Sequence, residues 1–97
     1  MYGYIAKINA NLGDRDQLLT ILLEGCSDMA GCISYVVAED RDNADAIWVT
    51  EVWESKAAHS ASLSLPSVKA AIAKAMPLIA SFEPLAETTP FGGIGAG

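Results

Sequence analysis

Between residues 46 and 79 the chain changes its period once, and that change limits the folds open to it more than any other stretch. Residues 46–54 alternate. Ile47, Val49, Glu51 and Trp53 share one face; Ala46, Trp48, Thr50, Val52 and Glu54 share the other. Both faces are largely apolar and rich in β-branched and aromatic residues, which predicts a strand covered on both sides. Ser55 carries the short side-chain oxygen that an N-cap needs to accept a bond from a free helix amide. From there the period becomes helical. A short helix over residues 55–65 bears the single histidine, His59. Pro66 is tolerated at the first position of a further helix. That helix, over residues 67–80, repeats Val68, Ile72, Ala75 and Ile79, and Pro77 is expected to kink or shorten its last turn. A two-sided strand feeding a helix with a lone histidine on its apolar side is a way for a small domain to line a pocket.

The remaining segments complete the pattern. Residues 2–11 alternate, with Tyr4, Ala6, Ile8 and Ala10 on one face. Gly13 breaks this first strand, and Asp14 can cap the helix that follows. From residue 15 to 30, Leu18, Leu19, Leu22, Leu23, Cys26 and Met29 form one wide helical stripe. Gly31 is expected to end that helix in the left-handed conformation. Cys32–Glu39 reads as a second strand with Ile33, Tyr35 and Val37 on one face. Residues 40–45, DRDNAD, read as the hairpin turn into the third. Residues 81–90 could hold a fourth strand, which Pro84 and Pro90 confine to a sheet edge. The glycine-rich tail, about 91–97, is expected to be flexible. The order β-α-β-β-α(α)-β is that of a ferredoxin-like α+β fold with one antiparallel sheet and helices on one face. The chain should be a single domain over 1–97. Its second sheet face is too apolar for water, so two copies are expected to pack sheet to sheet as a homodimer, a dimeric α+β barrel.

Composition sharpens the dimer expectation. A chain of 97 residues buries only roughly 60–65% of its unfolded surface, yet 52% of these residues are hydrophobic. With 12 acidic against 6 basic residues the formal charge is −6, so nucleic acid and anionic membranes are poor partners. No apolar run approaches the ~20 residues of a spanning helix. No basic stretch followed by an apolar core opens the chain, which points to the cytoplasm. Cys26 and Cys32 fit no metal spacing and read as reduced thiols. In the acidic turn, Ala44 and Asp45 stand where a calcium loop needs a ligand and a glycine, so the turn is read as solvated. The tail lacks the flanking strand and helix of a dinucleotide fingerprint.

Several short motifs then point to a family. Gly31-Cys32-x-x-Tyr35, Glu51-x-Trp53-Glu54-Ser55 and Leu63-x-x-Pro66 resemble the antibiotic-biosynthesis-monooxygenase (ABM) superfamily over about residues 2–82. Ala58-His59-x-Ala61-Ser62-Leu63 and Thr89-Pro90-Phe91-Gly92-Gly93 are similar to its quinol monooxygenase branch. The resemblance implies a dimeric barrel with one pocket per subunit between sheet and helices. It also implies oxidation of quinols or polycyclic phenols by O2 with no flavin, metal or haem cofactor. Other members of that superfamily degrade haem, isomerise small sugars or have no assigned activity, so fold does not settle function. Haem-degrading members carry a Trp and a His at positions that align with Ser62 and Ile72, so haem is not expected as a substrate here. Common members carry a His where Ser62 stands, so their acid–base role does not pass unchanged to this chain.

Within this frame His59 is the leading catalytic candidate. It shares a helical face with Leu63 four residues on, and most relatives have Leu at its position, which implies that the face points inward. A histidine facing a pocket can take a phenol proton at neutral pH; its plain alternative is a core residue bonded to a backbone carbonyl. Tyr35 and Asn9 could steady an oxyanion, or be a packed aromatic and an edge asparagine. Trp48 and Trp53 project from opposite strand faces, one into the pocket and the other into the dimer core. Ser62 and Leu63 are further substrate-binding candidates, Ser62 equally a small spacer. Glu51 could be an acid with a raised pKa, although an ion pair across the dimer fits better. The function expected is a cofactor-independent monooxygenase acting on a small aromatic substrate and O2. The alternatives are a binder of small aromatic metabolites and a cofactor-free isomerase or cyclase.

Overall fold

In a computed structural model that describes residues 1–96, Tyr2–Ala10 forms β1, Arg15–Gly25 α1 and Cys32–Glu39 β2. Ala46–Trp53 forms β3, Lys56–Ser62 α2 and Pro66–Ala75 α3. A short turn of 3₁₀ helix over Met76–Leu78 then leads into β4, Ile79–Thr88. The four strands make one antiparallel sheet in the order β2-β3-β1-β4, so the fold is ferredoxin-like α+β. The last residue of the glycine-rich tail, Gly97, lies outside the described residues.

The local signals act where the sequence places them. Ser55 stands in an extended conformation, and its Oγ accepts the Ala58 amide at 3.0 Å, satisfying one free N–H of α2. Pro66 opens α3, where its missing N–H leaves no bond unmade. Pro77 ends α3 at Ala75 and leaves only the 3₁₀ turn, so β4 begins at Ile79, earlier than the sequence suggests. β4 pairs with β1 alone. Its ladder slips between the Ile5 and Ala6 pairs, beside Pro84, whose nitrogen has no proton to donate.

The end of α1 also differs from expectation. α1 stops at Gly25 and not at residue 30. Gly25 presses against Ala71 of α3, closer than any Cβ would allow. The polar Ser27 that follows turns its Oγ onto the Glu24 carbonyl at 3.3 Å, an alternative to continued helix. Gly31 is left-handed at φ +80°, but it leads the chain into β2 and does not cap α1.

All three helices lie on the sheet face bearing Ile8, Ile47, Val49 and Trp53. Ile8, Ala10, Leu18, Ile47, Val49 and Ala75 form the buried cluster there. The opposite face carries Ile5, Lys7, Asn9, Trp48 and Val52 half-buried and leaves Val36 and Thr50 exposed. Among the described residues, no helix is long and apolar enough to cross a membrane.

Candidate active site

A cavity of about 590 Å³ lies between the helices and the sheet. Strand register explains why one end is polar. Tyr4 of β1 and Tyr35 of β2 both stand opposite Glu51 of β3, so three polar side chains cross the floor in a row. Ile8 pairs with Ile47 and Phe82, which makes the other end apolar. Val68 and Ile72 of α3 roof the cavity.

His59 projects from α2 onto the polar end. Its ring centroid lies 5.4 Å from that of Tyr2, 5.3 Å from Tyr4 and 5.5 Å, edge on, from Trp53. Its Nε2 is 3.8 Å from Glu51 Oε1, with the two side chains 19% and 9% exposed. Trp53 Nε1 donates to the same Oε1 at 2.9 Å. Three aromatic rings and a carboxylate therefore fix the imidazole. Among the described residues its ring nitrogens bond no backbone carbonyl, and Glu51 is the charged group beside them.

Burial sets the electrostatics. It pushes the Glu51 carboxyl above its ordinary value, opposed by the Trp53 N–H and by nearby His59. Burial also raises the Tyr35 phenol strongly, with Cys26 and Glu51 beside it adding to the effect. The Tyr4 phenol rises by burial and then by the charge of Glu51. Both tyrosines thus keep their protons at neutral pH and serve as hydrogen-bond donors.

The structure brings His59, Tyr35, Trp53, Ser62 and Leu63 to this one cavity. Ser62 is buried, and its Oγ donates to the His59 carbonyl at 2.6 Å, so it is tied to its own helix. Leu63 is half exposed at the mouth. Two expected residues lie elsewhere. Trp48 is one residue out of phase with Val49 and so points to the opposite sheet face. There its Nε1 donates to Asp40 Oδ2 at 2.7 Å, and Lys7 Nζ sits 5.5 Å from its ring. Asn9 is likewise out of phase with Ile8. Its Nδ2 donates across to the edge strand β4, to Ser81 Oγ at 2.9 Å and Glu83 Oε2 at 2.7 Å. Neither can reach a ligand beside His59. Glu51 departs from its expected pairing across a dimer, because it faces the cavity of its own chain. Tyr4, overlooked as a site residue, carried one signal: it shares the alternating β1 face with Ala6 and Ile8.

Known proteins share this fold. The model of the antibiotic biosynthesis monooxygenase family matches residues 1–74. A solved structure of a candidate antibiotic biosynthesis monooxygenase from Chloroflexus aurantiacus is 57% identical. It covers 99% of this chain and 98% of its own, with a TM-score of 0.94. A candidate member from Deinococcus radiodurans is 22% identical, with 97% and 96% of the two chains covered and a TM-score of 0.79. One from Nitrosomonas europaea is 8% identical, with 95% and 100% covered and a TM-score of 0.85. At these last two identities the likeness is one of fold alone. No curated protein matches the chain.

Proposed function

Because the chain belongs to the antibiotic biosynthesis monooxygenase family, we propose that its cavity binds a small neutral phenol or quinol and oxidises it with O2 without a cofactor. One observation carries this reading: a single histidine beside a buried carboxylate, at the polar end of an otherwise apolar cavity. The cavity's size lies within the range of small-molecule sites. Among the described residues that line it there is no Lys or Arg. Phosphorylated or carboxylated substrates would meet no counter-charge there, which favours a phenol over a sugar phosphate.

The ring lies toward Ile8 and Phe82, and its hydroxyl reaches the His59 end. His59 takes the phenolic proton, and the electron pair stays on oxygen. The electron-rich phenolate reduces O2 by one electron, and the two radicals recombine to form a carbon–oxygen bond. The peroxide so formed takes back the proton from His59. The C–H bond at that carbon and the O–O bond then break, so one oxygen stays on the ring as a carbonyl and the other leaves as water with those two hydrogens. The apolar walls keep water from the radical pair. Tyr35, which holds its own proton, donates to the oxyanion, with Tyr4 beside it. Asn9, on the opposite face, takes no part.

Oxygen uptake tests the reading. With a reduced naphthoquinol and no added cofactor, the protein should consume O2 well above the rate of the quinol alone. Binding of the ring without uptake would leave a binder of aromatic metabolites. Conversion of a hydroxyketone under argon would instead establish an isomerase.

A further inference from the structure

We propose that Glu51 is the counter-charge that lets His59 hold a substrate proton, so that the two residues act as one acid–base pair. The inference rests on the proton-abstraction reading above and adds a positioning residue to it.

A neutral imidazole that gains a proton at the rim of an apolar cavity becomes a largely desolvated cation, which an anion close by stabilises. Each element packed against His59 can be searched for one. β1 supplies Tyr2 and Tyr4, whose phenols stay neutral. α2 itself supplies Lys56, of the wrong sign and exposed. β4 supplies Glu87, but that carboxylate is exposed and bound to Lys56 Nζ at 3.0 Å, so solvent and its partner screen it. β3 supplies Glu51, which is buried and 3.8 Å from His59 Nε2.

Glu51 is also held in place. Trp53 is almost wholly buried, and its N–H grips Oε1 at 2.9 Å, so the carboxylate cannot swing away. The 3.8 Å gap is longer than a hydrogen bond, which leaves the imidazole free to accept a substrate proton. The step balances without a redox partner. The substrate O–H bond breaks, an N–H bond forms on His59, and the electron pair remains on the phenolate oxygen.

Glu51→Gln tests this while keeping the size of the side chain and an oxygen for the Trp53 N–H. The fold should tolerate it. Burial raises the carboxyl's pKa above its unfolded value, so its stabilising contribution is present at low pH and is lost as pH rises through the raised pKa. The glutamine variant lacks that loss and should melt no lower than the parent at pH 8. A chromogenic phenol, 4-nitrophenol, then reports the pair directly. Bound to the parent, its ionisation midpoint should fall by about one pH unit. Bound to Glu51→Gln with a Kd within about threefold of the parent's, it should lose that shift. Glu51→Asp should recover part of it. In turnover, kcat should drop by about 10–100-fold with KM little changed, and the midpoint of the pH profile should move down.

A glutamine variant that ionises bound nitrophenol as the parent does would overturn the inference. So would a variant that melts far below the parent, since Glu51 would then be a structural group. A parent that binds nitrophenol without shifting its ionisation would overturn it too. A parent that ionises the bound phenol yet consumes no O2 keeps the pair and removes the oxygenase. Unchanged turnover and pH profile in Glu51→Gln, with O2 uptake intact, removes the pair and keeps the oxygenase.

Discussion

His59→Ala is expected to lower turnover by about 10²–10⁴-fold, the range for loss of a positioned base. The effect should fall on kcat, because the apolar cavity lining proposed to hold the ring, from Val49 to Ile72, is untouched. The fold should survive. The imidazole is 19% exposed and lies at the edge of the cavity, outside the cluster around Leu18 and Ile47. The parent's pH profile should rise as the base loses its proton, and the variant should lose that limb. A substrate already ionised at the assay pH should recover much of the lost rate, since it no longer needs a base. Steady-state kinetics across pH, beside a thermal melt, reads all of this. Activity within threefold of the parent with a lowered melting temperature would make His59 a packing residue, and Tyr35 would be tested next.

Trp53→Ala is expected to have the largest effect on stability. The indole is 1% exposed and is among the largest fully buried side chains. Removing a buried Trp costs about 3–5 kcal/mol, against a total of about 5–15 kcal/mol for a domain. For a chain of this length each kcal/mol shifts the midpoint by about 4–8 °C, so the melt should fall by on the order of 20 °C. Trp53→Phe separates the two roles of the ring. It keeps most of the packing but removes the N–H on Glu51, so the carboxyl, no longer held in its ionised form, should rise further in pKa. Circular dichroism melts of both variants would measure the difference. A Trp53→Ala protein melting within a few degrees of the parent would show that the indole does not hold the core.

Much of the fold was legible because the two periods are clean. The alternation in residues 46–54 and the helical spacing after Ser55 placed the strand-to-helix switch within a residue. The five-residue offset between Trp48 and Trp53 placed them on opposite faces. It could not say which face receives the helices, because Ile47 and Val49 are no more apolar than Trp48 and Val52. Only tertiary packing breaks that symmetry, and Asn9 was misplaced for the same reason. Cys26 and Met29 continue the apolar stripe of α1 past its true end, since loop residues over a cavity are apolar too. Glu51 stood out as a charge on an apolar strand. Its partner, eight residues on, became visible only once α2 folded back over β3.

The position of a bound ring tests the central claim most directly. A crystal structure with a naphthol in place should show the ring between the sheet and α3, toward Ile8 and Phe82. Its hydroxyl oxygen should lie about 2.6–3.2 Å from the His59 imidazole. A ring seated on the opposite sheet face beside Trp48, in the hollow between Leu23, Asp28 and Cys32, or with its hydroxyl turned toward Phe82, would contradict it.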